Sequence, residues 1–289
     1  MTNSGIHRAW IAAALFAGIL LLSLTACGDL TLNAPQIRKF HRHEALDGTR
    51  QLMVDAGVAV GTFRVEHGGT SQLFSLDLEW DAANQEQEVL FEPGQYGRLR
   101  MDISGRTSAD DLHTNLLLTD QVPLELQMTS GVGETTLDLT HLQVESIRLK
   151  HGVGRLILLV DEQQSTICDR FEASCGVGEM ILNGLANLAP YQFEFSGGVG
   201  RARLVFSGEN QRDMKAGIEV GIGEVAIVLN EDLGVRLRTS GGLTSSLSLP
   251  SGRFEKNGQY FTTGNYERAK QRLDLAIKTG LGAVEITFQ

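Results

Sequence analysis

The chain has 289 residues, which is enough for one large domain or two small ones. Its 33 glycines and 5 prolines fit a fold with many corners and few interrupted strands. The formal net charge of −10 argues against nucleic acid as a partner, because a nucleic-acid-binding face must be basic to displace the counterions of the phosphates.

The N-terminus has the features of a targeting segment. Arg8 supplies a positive charge, and Ala9 to Leu22 forms an apolar run that is too short to span a bilayer comfortably. The run ends in Leu24-Thr25-Ala26-Cys27, which resembles the lipobox of bacterial lipoproteins. In that family a signal peptidase cuts before the cysteine, and a diacylglycerol is attached to its thiol. The resemblance implies a helical signal peptide at residues 1–26 and lipidation of Cys27.

The expected location is therefore the cell envelope, with the protein held on a membrane by its lipid. The membrane face would be the periplasmic side of an outer or inner membrane, or the outer side of a single membrane. An ordinary secretory signal and an uncleaved anchor are the alternatives.

Residues 27–50 are expected to form the lipidated cysteine and a short tether. This stretch holds a basic cluster of five residues, namely Arg38, Lys39, His41, Arg42 and His43. Attraction to anionic lipid head groups and a plain solvated linker are equal alternatives for the cluster. Two alternating histidines without a third ligand do not indicate a metal site.

Residues 51–129 carry a degenerate form of a repeat that becomes regular later in the chain. Gly57-Val58-Ala59 is interpreted as its first corner, with Ala59 in place of a second glycine. Gln95-Tyr96-Gly97 is interpreted as the next corner. The terminal repeats of a solenoid are expected to be irregular, because they must cover an open end of the core. This part is therefore predicted to form degenerate N-terminal coils.

From residue 130 onward a Gly-x-Gly phrase recurs six times. Its glycines are Gly131 and Gly133, Gly152 and Gly154, Gly176 and Gly178, Gly198 and Gly200, Gly221 and Gly223, and Gly280 and Gly282. The first five copies are 21 to 24 residues apart. A period in this range is typical of a solenoid whose repeats stack as coils.

Apolar residues alternate with a period of two on both sides of each phrase, which indicates strands. The alternation slips by one residue across the phrase. A bend at the glycines, which tolerate positive φ, is therefore needed to keep both halves facing one core. The residue between the two glycines is expected to plug the corner from inside, as an interior row. These residues are Val132, Val153, Val177, Val199, Ile222 and Leu281.

A column of charges of alternating sign lies three residues after the first glycine. Its members are Glu134, Arg155, Glu179, Arg201 and Glu224, with Arg98 as an earlier member. In stacked coils these side chains would be neighbours about 4.8 Å apart. Each exposed pair contributes only about 0.2–1 kcal/mol, so its larger effect is on register. The column is interpreted as structural, because an Arg on either side would neutralise each Glu as a catalytic carboxylate.

The last third departs from the pattern once. The copy at Gly241-Gly242-Leu243 has Thr244 in place of its second glycine. Asn257-Gly258 then gives a strong type I′ hairpin signal, within an insertion at about residues 251–272. The final coil would leave an open strand edge, which invites edge-to-edge self-association unless the hairpin covers it. A regular solenoid with this insertion is predicted for residues 130–289.

The motifs predict no catalytic site, no metal site and no cofactor. The Gly-x-Gly phrases lie between strands, with no helix to bind a phosphate. Asp110, Asp111 and His113 form the best local acid–base cluster, but polar loop residues of this kind are usually only solvated. Cys168 and Cys175 are interpreted as buried free thiols, because a bridge between them would need a tight reversal of the chain.

The glycine corners, their flanking strands and the lipobox together resemble the toast-rack domain proteins. They also resemble the related C-terminal domains of cell-wall-active-antibiotic response proteins and bacterial adhesins. The resemblance covers residues 51–289 and is strongest at Ser196-Gly197-Gly198-Val199-Gly200-Arg201. It implies an all-β fold, a right-handed parallel β-solenoid of roughly nine coils, and transfers no catalytic residue. Some relatives lie behind transmembrane helices and modulate sensor kinases of envelope stress, whereas this chain has no expected span beyond the signal.

Three functions follow from these features. The first is a non-enzymatic envelope lipoprotein that presents a rigid β-solenoid surface to an envelope protein or a cell-wall glycan. It is favoured by the lipobox, the regular coils and the missing catalytic motifs. The second, implied by resemblance alone, is an accessory regulator of envelope stress signalling. The third is a polysaccharide-active enzyme, which would need two un-neutralised acids about 5–9 Å apart on a groove.

Overall fold

The computed structural model describes residues 32–109, 112–209, 212–241 and 245–289. The expected signal peptide, Cys27, the pair Asp110-Asp111 and the corner at Gly242 lie outside the described residues. The described strands are β1 (Ile37–Ala45), β2 (Gln51–His67), β3 (Gln72–Asp81), β4 (Gln85–Glu92), β5 (Tyr96–Gly105), β6 (His113–Leu118), β7 (Leu124–Asp138), β8 (Val144–Leu159), β9 (Arg170–Asn183), β10 (Gln192–Phe206), β11 (Met214–Leu229), β12 (Gly234–Gly241), β13 (Ser245–Ser248), β14 (Phe254–Asn257), β15 (Tyr260–Thr263) and β16 (Arg272–Phe288). One short helix, α1 (Leu185–Leu188), lies between β9 and β10. The predicted all-β class is confirmed.

The strands form a single sheet with a long parallel centre. Its order is β1-β3-β6-β2-β7-β8-β9-β10-β11-β16-β12-β15-β14; β4 pairs with β5, β5 also pairs with β2, and β13 pairs with β16. All neighbours from β2 and β7 through β11 to β16 are parallel. At the corners these strands are in register, so that Gly133, Gly154 and Gly178 lie side by side.

Each long strand bends at its glycines. In β7, Met128 and Ser130 are buried before the bend and Thr135 and Leu137 after it, so the inward positions change parity. Gly133 has a φ of 136°. A β-carbon added there would lie 2.1 Å from a backbone oxygen of the neighbouring strand β2. Only glycine allows both this φ and this close approach.

The residues between the paired glycines do not plug the corner, and that prediction is wrong. They are aligned as an unbroken row, but each is about half exposed: Val132, Val153, Val177, Val199, Ile222 and Leu281. On the inner side of the bend the backbones of successive coils are in contact, which leaves no volume for a side chain. The apex side chains therefore point outward, and we call this row the corner ridge.

The first corner lies two residues later than the sequence suggested. Val60 pairs with Val132 and Gly61 with Gly133, so the corner is Ala59-Val60-Gly61 and Ala59 replaces the first glycine, not the second. The predicted corner at residues 95–97 is also wrong, because β5 pairs with the first half of β2 and runs on to Gly105 without a bend. β6 pairs with the second half of β2. Two separate strands thus occupy the place of one bent strand.

The predicted tether is in part a strand of the sheet. Ile37–Ala45 forms β1, which pairs antiparallel with β3 at the edge. Its basic residues meet acidic ones: Lys39 contacts Glu79 at 2.5 Å and His41 contacts Asp77 at 2.6 Å. Alternation of half-buried and exposed side chains along β1 is typical of a strand with one face on the core.

The final coil does not form the edge of the sheet. β16 lies between β11 and β12, although β12 comes first in the chain. Its intact corner explains the order, because Leu281 and Gly282 pair with Ile222 and Gly223 and the match continues along fifteen residue pairs. The edge is formed instead by the hairpin β14–β15, which pairs antiparallel with β12. The open edge is therefore not the final coil but β14, and edge-to-edge self-association stays a prediction.

The core is one hydrophobic cluster to which both halves of the bent strands contribute. Phe193 lies at its centre, with ring centroids 5.1 Å from Phe171 and 6.1 Å from Phe206 in edge-on geometry. Alternate residues of the same strands face outward. The outward residues in the first halves of the strands form a continuous surface, which we call the outer face, and it carries the candidate site.

Candidate functional site: a groove on the outer face

The structure separates the predicted site residues into two structural rows. The corner glycines stack against each other at the inside of the bend, and the second glycine of each pair has positive φ. The charge column follows directly after them in register. Cys27, the predicted lipidation site, lies outside the described residues.

The charge column forms exposed ion pairs. Arg155 Nε lies 3.1 Å from Glu179 Oε2, and Arg201 Nε lies 3.9 Å from Glu224 Oε2. Pairs of this exposure contribute little to stability. Arg98 is not a member, because it pairs with Met53 and Glu92 in the first half of the sheet, and Thr62 occupies the place beside Glu134.

A groove on the outer face is a feature that the sequence did not predict. Two adjoining cavities of about 470 and 530 Å³ share four lining residues, Glu194, Gly217, Ala276 and Arg238. These four lie side by side in β10, β11, β16 and β12. We call the two cavities together the outer groove. Tyr191 and Tyr260 line one of its ends and Lys150 lines the other.

The groove exists because two small residues stand between two long ones. Gly217 and Ala276 leave the backbone of β11 and β16 uncovered. The Glu194 carboxylate leans over this floor, since a β-carbon added at Gly217 would lie 2.1 Å from Glu194 Oε2. Arg238 stands on the opposite side. Neighbouring repeats carry charged residues at the equivalent outward position, such as Arg148 and Glu172, so the depression is local.

The groove is locally basic in an acidic protein. Six basic and four acidic side chains line it, a net of two positive charges, whereas the whole chain has a net charge of −10. Arg148 Nε donates to Glu172 Oε2 at 2.8 Å, and this hydrogen bond lowers the pKa of Glu172. Lys278 Nζ lies 2.6 Å from Glu219 Oε1.

Three cations of the groove have no acidic partner within the described ranges: Lys150, Lys215 and Arg238. Lys215 instead lies 5.2 Å from the ring centroid of Tyr191 and donates to its hydroxyl group at 3.2 Å. Glu194 is the one groove carboxylate without a basic partner in the described part of the chain; it accepts a 3.2 Å hydrogen bond from Gln192 Nε2. The groove thus offers both cationic donors and one carboxylate acceptor.

Arg236 and Tyr266 converge on Asp274 at the aromatic end of the groove. Arg236 donates two hydrogen bonds to Asp274, at 2.9 and 2.8 Å, and its guanidinium lies 5.6 Å from the ring centroid of Tyr260. Tyr266 also donates to Asp274, at 2.8 Å, and burial raises the pKa of Tyr266 to about 12. This network positions the Arg236 guanidinium against the Tyr260 ring.

A second polar row lies inside the core, at the position before the first glycine. Ser130 Oγ and His151 Nδ1 are 2.6 Å apart, and Cys175 follows in the next strand. Burial lowers the pKa of His151 and raises the pKa of Cys175. Burial also raises the pKa of Cys168 to about 12. Both cysteines are free and buried, so these groups lie out of contact with the surface.

Histidine and carboxylate side chains also meet outside the groove: His41 contacts both Asp77 and His43, and the ring centroids of His67 and His141 are 5.6 Å apart. His67 Nε2 lies 3.2 Å from Asp120 Oδ2, and His141 Nδ1 lies 3.2 Å from Glu162 Oε2. In the part of the chain that the structure describes, no three His, Cys, Asp or Glu residues are placed to hold a metal ion. Within the described ranges, no helix has both the length and the apolar character that a membrane span needs.

The sequence analysis did not predict the groove, because the groove is marked only by small residues at positions where other repeats have long side chains. Gly217 and Ala276 occupy outward positions whose counterparts in other repeats are long and polar. Comparing the repeats column by column could have revealed this. The order of the strands could not have been found in this way, because β16 and β12 lie in the reverse of their chain order.

Comparison with solved structures gives neighbours of low identity. A candidate cell adhesion protein from Clostridium sporogenes is 17% identical with a TM-score of 0.48, covering 88% of this chain and 100% of its own. A candidate adhesin from Bacteroides fragilis is 10% identical with a TM-score of 0.32, covering 87% and 98%. Another from Parabacteroides merdae is 10% identical with a TM-score of 0.32, covering 86% and 96%.

Comparison by sequence gives the family. No curated protein matches the chain significantly. Residues 33–183, which make up more than half of the chain, match the family described as the N-terminal domain of toast_rack, DUF2154. The matched region runs from the segment before β1 to the end of β9, and includes the first three regular Gly-x-Gly corners. The chain therefore belongs to the toast_rack N-terminal domain family.

Proposed function

We propose that this protein is a non-enzymatic lipoprotein of the cell envelope, which presents the outer groove as a binding surface for a cell-wall glycan or an envelope protein. The observation that carries the proposal is the groove itself, a depression with cations that lack an acidic partner among the described residues and with tyrosines at one end. Clefts that combine apolar surface with a few convergent polar groups are the usual form of binding sites.

The stacked coils support a rigid surface of this kind. We propose that they wind as a right-handed solenoid of roughly nine coils, because parallel connections are right-handed in about 98% of cases. Side chains on such a scaffold keep fixed spacings, so the groove would be preorganised. An experimental structure with left-handed connections would contradict this winding.

Charge pairing in the groove supports a binding role over hydrolysis. Glycoside hydrolysis needs one carboxyl group as an acid and another as a base or nucleophile. Glu172 and Glu219 are engaged by Arg148 and Lys278, and Asp274 is engaged by Arg236. Of the carboxylates that line the groove, this leaves Glu194 alone without a cation in the described ranges.

The groove is tested by filling it. Gly217→Trp would place an indole over the floor, and the atoms nearest to its β-carbon belong to the movable end of Glu194. Gly57→Trp is the matched control, because Gly57 lies on the same face but in β2, and the atom nearest to a β-carbon there is likewise a side-chain end, Asp102 Oδ1. We expect the full-length protein to co-sediment with isolated cell-wall sacculi or envelope membranes, and Gly217→Trp alone to reduce this. Equal binding by both variants would refute the groove as the binding surface.

The lipid anchor is tested separately. Wild-type protein in its bacterial host should incorporate labelled palmitate and fractionate with membranes, whereas Cys27→Ser should do neither. Replacement of Ser23, which lies just before the lipobox, by alanine serves as the control. Labelling that persists in Cys27→Ser would contradict the proposed anchor.

A further inference from the structure

The charge of the outer face changes sign along the sheet. At its N-terminal end, a third cavity is lined by Asp55, Glu88 and Asp102, with Arg100 as the one basic residue among its described lining. The outer groove, at the other end, carries the net positive charge described above. Positive charge is thus concentrated at the groove, against the negative charge of the chain. A bound ligand should carry negative charge.

The spacing of the groove cations favours an extended ligand. Lys150 lies in β8 and Arg238 in β12, five strands apart, which corresponds to about 24 Å at the usual strand spacing. A single small anion cannot contact both. The open floor between Glu194 and Arg238 spans three strand spacings, or about 14 Å. A chain of several linked units is required to fill this length.

Glu194 sets a second requirement. Glu194 has no basic partner among the described residues, and its carboxylate accepts a hydrogen bond from Gln192. A plain polyanion would bring negative charge against it at the centre of the groove. A ligand with hydroxyl groups would instead donate to it, while its anionic groups reach Arg238 and Lys150.

The tyrosines supply the third element. Tyr191 is 47% exposed, and Tyr260 lines the same end of the groove. A tyrosine side chain combines an apolar ring with a polar end, and suits a ligand that is apolar on one face and hydroxylated at its edge. A sugar ring has this character, whereas a plain acidic peptide lacks the hydroxyl groups.

The positive charge of the groove, its length, the Glu194 acceptor and the tyrosines favour the same ligand. We propose that the outer groove binds an acidic saccharide chain, whose carboxylates contact Arg238 and Lys150 and whose hydroxyl groups donate to Glu194. This inference rests on the proposed function, because it names the ligand class of the same groove. Arg–carboxylate pairs are among the stronger and more directional contacts in proteins.

The test uses short oligogalacturonate as the probe, with calorimetry on the full-length protein. Its methyl ester has the same sugars without charge, and polyglutamate of similar length has charge without sugars. We expect oligogalacturonate to bind more tightly than either, and more weakly as salt is raised. If the methyl ester binds as tightly as oligogalacturonate, the carboxylates are not recognised. If polyglutamate binds as tightly as oligogalacturonate, the sugar is not recognised. Either result would overturn the inference.

Three variants and one control locate the binding. Arg238→Gln should weaken oligogalacturonate binding about tenfold or more, as expected for loss of a charge-assisted contact, and Gly217→Trp should weaken it because its indole fills the floor. Arg203→Gln is the matched control, because Arg203 is an exposed arginine beyond the corner in β10. Glu194→Gln should raise the affinity for polyglutamate more than that for oligogalacturonate. Binding unchanged in Arg238→Gln would refute the assignment.

The result also separates this inference from the proposed function. If Gly217→Trp abolishes co-sedimentation with sacculi while oligogalacturonate neither binds nor competes, the groove is a binding surface for another ligand class and the acidic saccharide is refuted. If Gly217→Trp changes neither measurement, both proposals fail.

Discussion

The second glycine of each corner should be highly sensitive to substitution. Gly178 has a φ of 138°, and a β-carbon there would lie 1.9 Å from the backbone oxygen of Gly154. Positive φ in a non-glycine residue costs about 1–3 kcal/mol. Relief of the contact would require the two strands to separate by about 1 Å, which weakens ladder hydrogen bonds worth about 0.5–1.5 kcal/mol each. Gly178→Ala should therefore lose at least about 3 kcal/mol of unfolding free energy.

Two other glycines distinguish the cost of the positive φ from the cost of the close backbone contact. Gly69 has a φ of 87° with nothing within 4 Å, so Gly69→Ala should show only the cost of the dihedral angle, about 1–2 kcal/mol. Gly264 has open space and no positive φ, so Gly264→Ala should be neutral or stabilising by up to about 1 kcal/mol. Urea denaturation followed by circular dichroism measures all three. A loss in Gly178→Ala no larger than in Gly69→Ala would show that the stacking of corner backbones is not tight.

Three further predictions follow from burial and pKa values. Phe193→Ala should lose about 3–5 kcal/mol in urea denaturation, because its side chain is fully buried; a loss below 1 kcal/mol would contradict the described core. Burial alone would raise the pKa of Asp81, but hydrogen bonds from Asn84, Thr107 and backbone groups outweigh it and lower that pKa from 3.8 to about 2. The lowered pKa means that ionised Asp81 stabilises the folded state above about pH 4, and that this stabilisation is lost as the pH falls toward 2. The melting temperature of Asp81→Asn should therefore change less with pH than that of the wild type in this window, and parallel profiles would contradict the prediction. Val177→Thr, on the exposed corner ridge, should change stability by less than about 0.5 kcal/mol in the same urea assay, whereas a loss above 1 kcal/mol would indicate an interior side chain.

The corners were the part of the fold most open to prediction. A glycine pair that recurs between runs of alternating apolar residues requires a bend, since only a bend lets both runs face one core. The side on which Val177 lies was predicted wrongly for a related reason. Its hydrophobicity suggested the interior, but the contact between Gly178 and Gly154 fills the inside of the bend.

The irregular ends of the sheet were less open to prediction. Ala59 stands at the first glycine position of its corner. Because that glycine is missing, the corner was predicted two residues too early. Arg98 was placed in the charge column because Gln95-Tyr96-Gly97 was taken for a corner, and β5 has no bend there. The segment around His41 was taken for a linker because its residues are polar, whereas its acidic partners come from β3, far along the chain.

By itself, the sequence determined that this protein is built of bent strands that stack on one another, because hydrophobic period and glycine spacing are local properties. Tertiary structure alone decided that β16 enters between β11 and β12, since an intact corner at Gly280 matches the neighbouring coil better than the interrupted one at Gly242. That insertion brings Ala276 beside Gly217 and Arg238 opposite Glu194. The groove is a product of non-local pairing, and no local pattern encodes it.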